Sequence, residues 1–237
     1  MKASTRTLTL AALLAAPGLV LAPVPAAAQA RAPAAAQAPA PDGNYSIIGA
    51  ETVHGKPVAD VQAGWPSTTF GYTFSLSPTS DLSLRFGLLY GFEGTTTSQF
   101  GLSFYAPLRF ELGRGESIRT LLHVDPGVRF YTTQPSIFGF QFPVGLVFAL
   151  PRRDGLEVGI GLDMNMTLLV SGNFAPRFVF GPALGPYFEY QVNPQVTVGL
   201  NTRFGAAIDA YSSEGPIPGG VATNFAFTAQ LLLGYRP

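Results

Sequence analysis

The sequence predicts an all-β chain: an antiparallel, up-and-down transmembrane β-barrel of about ten strands, with eight as the smaller alternative. Three observations predict it. Large apolar residues alternate with small or polar ones along most of the chain, and a period of two belongs to a strand. Charged residues make up 12% of the 237 residues, against about 25% in an ordinary soluble domain. Gly (27) and Pro (21) are abundant, and so many helix breakers argue against a mostly helical chain.

Residues 1–30 read as a secretory signal. Lys2 and Arg6 form the positive region, Leu8 to Leu21 the apolar region, and Ala28-Gln29-Ala30 a cleavage box. The Ala/Pro-rich stretch 31–43 is expected to be an extended periplasmic tether. The barrel then occupies residues 44–237. Past the signal, no window reaches the 18 or more unbroken apolar residues of a spanning helix.

The first barrel element is a weak strand at about Asn44 to Val53. "TTFGYTFSLS" then sets Phe70, Tyr72, Phe74 and Leu76 on one face. After "PTSD", Leu82, Leu84, Phe86, Leu88 and Tyr90 continue the pattern. "FGLSFYAPLRFEL" and the segment after "GRGES" add two more strands. The stretch "IFGFQFPVGLVFALPRRDGLEVGIGLDMNMTLLV" holds two strands joined at "PRRDG", with Phe138 to Leu150 and Leu156 to Leu168 apolar at every even position. Three further strands follow, the last flipping parity at Phe225, Phe227, Leu231, Leu233 and Tyr235.

Alternation does not say which face points inward. The apolar face carries roughly fifty large side chains, more than the interior of a barrel of about ten strands accommodates. Glycines crowd the other face, as a narrow lumen requires. A soluble sandwich or lipid-binding barrel would need far more charge on its wet face. Lipid therefore faces the apolar positions. The short links "PTSD", "GRGES", "PRRDG" and "VNPQ" mark the periplasmic end, and the longer alternate links mark the outside. A chain that starts and ends on the periplasmic side has an even number of strands, hence ten. Aromatic residues near both strand ends form the expected double girdle. Trp65 reads as an interfacial anchor, and His54 falls in an external loop.

On the signal, the alternating strands and the turn pattern, residues 44–237 resemble the small outer-membrane β-barrel proteins of Gram-negative bacteria, porin-like or like the OmpA barrel. The resemblance implies contact with outer-membrane lipid and insertion by the barrel-assembly machinery. Members commonly end on an aromatic residue; here "LLLGYRP" places Tyr235 two residues short of the end.

Inward positions collect the charge: Arg85, Arg109, Glu111, Arg119, His123, Asp125, Arg129, Glu157, Asp163, Glu189, Arg203 and Asp209. In a narrow barrel these form a paired network, since unpaired enclosed charge is costly, and Arg suits bidentate pairing. Ser103, His123 and Asp125 on neighbouring strands also raise a hydrolase arrangement, but no G-x-S-x-G elbow accompanies it. The balance of 14 basic and 14 acidic residues gives no footprint for nucleic acid. The absence of Cys removes disulfides, thiol catalysis and Cys-based zinc sites. No cofactor and no metal site are expected, and two distant His residues fall short of the usual ligand count. The expected function is structural, or passive permeation of a small solute through a narrow charged lumen. Surface binding through the loop "AYSSEGPIPGG" is the second class, and a non-enzyme is expected. Pro107, Pro126, Pro143, Pro182 and Pro186 fall inside strands, where each removes a ladder donor; bulges or ladder gaps are expected there.

Overall fold

The computed structural model describes residues 44–133, 136–172, 174–211 and 220–237. The expected signal, the tether and most of the "AYSSEGPIPGG" loop lie outside the described residues. Thirteen strand segments form one antiparallel sheet: β1 (Val58–Trp65), β2 (Ser67–Ser77), β3 (Ser80–Gly91), β4 (Ser98–Tyr105), β5 (Leu108–Arg114), β6 (Arg119–Val124), β7 (Gly127–Tyr131), β8 (Ile137–Gln141), β9 (Val144–Ala149), β10 (Leu156–Ser171), β11 (Phe174–Gln191), β12 (Val196–Tyr211) and β13 (Gly220–Tyr235). Pairing of β13 with β1 closes the sheet into a barrel. β3 pairs with both β4 and β5, and β10 with both β8 and β9. The segment pairs β4/β5, β6/β7 and β8/β9 are thus single staves broken once, and the barrel has ten.

The breaks explain three of the prolines. They fall at Ala106-Pro107, Asp125-Pro126 and Phe142-Pro143, side by side in adjacent staves. The Ala106 N–H donates to the Pro126 carbonyl and the Asp125 N–H to the Pro143 carbonyl, both at 2.9 Å. At the ends of this row, Ser83 donates to Pro107 and Phe142 to the Met166 carbonyl, both at 2.8 Å. A proline gives up a donor but keeps its acceptor, so the row carries hydrogen bonds from β3 to β10. Pro182 and Pro186 sit at gaps in the β11–β12 ladder, where pairing skips from Phe180 to Ala183 and from Leu184 to Tyr187. The Thr202 hydroxyl donates to the Pro186 carbonyl at 2.7 Å.

The apolar positions face outward: Phe100, Leu162, Leu184 and Leu231 are exposed, as a lipid-facing wall requires. Trp65 stacks on Phe227 and meets Tyr90 edge-on at the long-loop end.

Two expectations are corrected. Residues 44–53 are not a strand; the stave that makes the count ten is β1. Its outward residues Ala59, Val61 and Ala63 are small, which hides the alternation, while Tyr45, Ile47 and Val53 are apolar because they pack inside the barrel against Val58 and Leu232. His54 is not in an external loop. It lies at the short-turn end, where Arg114 Nη2 and the Thr52 hydroxyl approach its Nε2 at 3.4 and 3.3 Å.

Candidate functional site: a plugged lumen with a charged chamber

Residues 45–53 enter the lumen from the short-turn end, bend at its floor and return. Tyr45, Ser46, Ala50, Thr52 and Val53 are fully buried. The barrel wall holds this plug largely by its main chain. Arg109 donates to four plug carbonyls, those of Ser46, Ile47, Gly49 and Glu51, at 2.8–2.9 Å. Glu189 accepts the N–H groups of Ile47 and Ile48 at 2.9 and 2.6 Å. Glu157 accepts that of Ala50 at 2.8 Å, and Asp81 that of Val53 at 3.0 Å. Side chains add to this: Ser46 donates to Glu189, and Glu51 pairs with Arg119 and with Arg152, the latter at 3.0 Å.

At the other end, the loop after β3 turns inward. Phe92 packs on an apolar cluster of Leu89, Tyr131, Leu169, Val179, Ala207 and Ala226. Glu93 accepts from Arg129 at 2.8 Å and from the Tyr131 and Thr167 hydroxyls at 2.9 Å. The Gly94 carbonyl takes the Phe227 N–H at 2.8 Å. Phe92 and its cluster cap the lumen.

Between plug and cap lies a polar chamber of about 240 Å³. Its walls include Arg85, Arg109, Arg129, Arg203, His123, Asp125 and Asp163, with Tyr105, Ser103 and Asn165. Arg85 forks onto Asp60 at 2.8 and 3.0 Å. A four-member chain runs along the wall. Arg203 donates to Asp163 at 2.7 Å, Asp163 faces His123 Nε2 at 2.9 Å, and His123 Nδ1 meets both oxygens of Asp125 at 3.1 and 3.2 Å. Opposite His123 in the ladder stands Gly145; a Cβ there would collide with His123 and Asp163, so the chain needs glycine at that position.

The structure thus distributes the twelve predicted lumen residues over five places. Arg109, Arg119, Glu157 and Glu189 bind the plug, and Arg129 binds the cap. Arg85, His123, Asp125, Asp163 and Arg203 line or support the chamber. Asp209 pairs with Arg177 near the long-loop rim. Glu111 pairs with Arg114 at 2.6 Å on the short-turn rim, away from the others. Seven charged partners escaped the sequence reading: Glu51, Asp60, Asp81, Glu93, Arg114, Arg152 and Arg177. Six of them sit in the plug, at turns or in loops or strand ends, where alternation carries no signal; Asp60 sits on the unrecognised β1.

The Ser103–His123–Asp125 arrangement is not assembled. The ladder places Ser103 beside Arg129 and Gly87, and His123 beside Arg109 and Gly145. Both imidazole nitrogens face carboxylates. Among the described residues no group of three or more His, Asp or Glu is arranged to hold a metal ion. At the rim, burial and the Arg114 guanidinium hold the His54 imidazole below its ordinary range.

No family model matches the chain, and no curated protein does. Solved barrels do. The outer membrane protease OmpT from Escherichia coli is similar at 9% identity and a TM-score of 0.42, with 77% of this chain and 93% of that one covered. LpxR from Salmonella typhimurium is similar at 12% identity and a TM-score of 0.30, over 76% of this chain and 99% of that one. The chain itself is a closed, ten-stave antiparallel β-barrel with its large apolar side chains outward. The expectation of a non-enzyme is corrected by the first of these: a protease occupies a similar barrel, so non-enzyme status does not follow from the fold.

Proposed function

We propose that the protein is an outer-membrane barrel closed at rest, with its charged chamber as the middle of a narrow passage that opens when plug and cap move. The observation behind this reading is a polar chamber of about 240 Å³ lined by plug residues Ile47 and Ile48 at one end and by Leu89, Gly91 and Gly94 at the other. A purely structural barrel has no need of such a space, since apolar packing fills a lumen without burying charge.

Planar-bilayer recording tests it. The intact chain is expected to be silent. An Arg109→Ala/Phe92→Gly double variant, shown to be folded by its strand spectrum and gel mobility, is expected to give salt-dependent steps. Steady steps from the intact chain would mean a passage that is open at rest and would overturn the closed state; silence from the folded double variant would remove the passage and leave a structural barrel.

A catalytic reading of the same chamber rests on His123, which lies between Asp125 and Asp163. General-base chemistry would require one carboxylate to release a ring nitrogen. Screening for hydrolysis with the intact chain and His123→Gln tests it: any activity must disappear in the variant.

A further inference from the structure

The short-turn half of the lumen surrounds a bent main-chain segment with buried charged wall groups. Glu157 and Glu189 stand directly opposite each other on β10 and β11, both fully buried. Like charges at paired positions are unfavourable, and buried carboxylates need donors. Arg152 supplies part of the need, at 3.2 Å from Glu157 and 3.8 Å from Glu189. Three backbone N–H groups and the Ser46 hydroxyl of the plug supply much of the rest. Arg109 is matched in the same way, by four carbonyls that all belong to the plug. These wall groups are arranged around a bent main chain.

We infer that the Arg109–Glu157–Glu189 wall is a recognition site for a peptide of the pattern Ser-x-x-Gly-Ala-Glu, and that residues 46–51 are its resident occupant. Each fixed position has a physical reason. Ser46 donates to Glu189 and accepts the Gly49 N–H at 2.9 Å, which sets the bend. Gly49 lies against the Glu157 carboxylate and the Ser46 hydroxyl, so a Cβ there would collide with both. Glu51 reaches Arg119 and Arg152. Ala50 packs, fully buried, with Leu121, Val147 and Tyr187, which limits that position to a small residue. Both ends of the segment return to the short-turn rim: the Tyr45 hydroxyl donates to the Gln195 carbonyl, and Arg236 donates to the His54 carbonyl. A segment of another chain presenting this pattern from the periplasm would meet the same donors and acceptors. The inference rests on the plugged geometry and does not require permeation.

The sequence supplies a direct test. Lys56 is the sole lysine after residue 30, and Gly55 and Lys56 are exposed at the rim. An endoprotease that cuts on the amino side of lysine therefore severs the folded, detergent-held protein between Gly55 and Lys56. The plug is then a separate peptide in an intact barrel. The severed fragment is expected to stay with the barrel on size exclusion. It should exchange with a fluorescent synthetic peptide spanning residues 44–55, read by anisotropy. The Gly49→Ala peptide should compete at least tenfold more weakly, and a scrambled peptide not at all. Loss of the fragment without rebinding, or equal competition by the Gly49→Ala peptide, would overturn the inference. A bond that resists cleavage would also overturn it, because the site then does not open at the rim. Peptide exchange in a barrel that never conducts would sink the passage proposal and keep this one.

Discussion

The two closures of the lumen differ in the number of charged wall groups that hold their main chains. The plug at the short-turn end is held by directional bonds between charged wall groups and a bent main chain. The cap at the long-loop end is held by a ring seated on apolar side chains, with Glu93 as its one ionic anchor. Apolar contact is non-directional and tolerates small shifts. Charged groups that lose a partner inside a protein are left with most of their desolvation penalty. The plug should therefore be held all or none, while the cap should loosen by degrees.

The largest effect expected is that of Arg109→Ala, which orphans four carbonyls and leaves Asp81 without its nearby cation at 3.8 Å. A loss of about 3–5 kcal/mol is expected, the range for breaking a buried charged pair, measured by urea unfolding in detergent or bilayers. Phe92→Ala comes next. Phe92 is half-buried, so about 2 kcal/mol is expected, below the roughly 3–5 kcal/mol of a fully buried Phe. A larger loss from Phe92→Ala than from Arg109→Ala would reverse the comparison. Plug and cap share no residue, so the double variant should be additive within about 0.5 kcal/mol; stronger coupling would mean that the closures act together.

The smallest effect concerns pH at the rim. The His54 imidazole is depressed in the folded protein, by burial first and Arg114 second. The unfolded chain then binds the proton more readily, so the contribution of His54 to stability is full above its ordinary value of 6.5. It declines as pH falls below that value towards the folded one. Protection factors at the plug exit, with the intrinsic pH dependence of amide exchange divided out, should fall modestly on mild acidification, and His54→Gln should abolish that decrease.

Much of the fold was legible in the sequence, because a lipid-facing strand writes itself as alternation: Phe138 to Leu150 and Leu156 to Leu168 were readable residue by residue. The stave count was also legible, from parity of the ends. What was not legible is what fills the barrel. Tyr45, Ile47 and Val53 look like one face of a strand because apolar residues serve a lumen plug as well as a lipid wall. β1 went unseen because Ala59, Val61 and Ala63 give almost no amphipathic signal. In the candidate site, the Arg and acids on the strands were found by position, yet their partners Glu51, Asp81, Glu93 and Arg152 were not. Partner choice across a barrel depends on how turns and loops fold inward, and no spacing rule records that.

The measurement closest to the central claim is amide hydrogen exchange of residues 44–57 in the folded protein. The N–H groups of Ile47, Ile48, Ala50 and Val53, all bonded to buried carboxylates, should exchange as slowly as the barrel staves, while Gly55 and Lys56 exchange fast. Uniformly fast exchange across the segment would contradict the account, because the lumen would then have no plug.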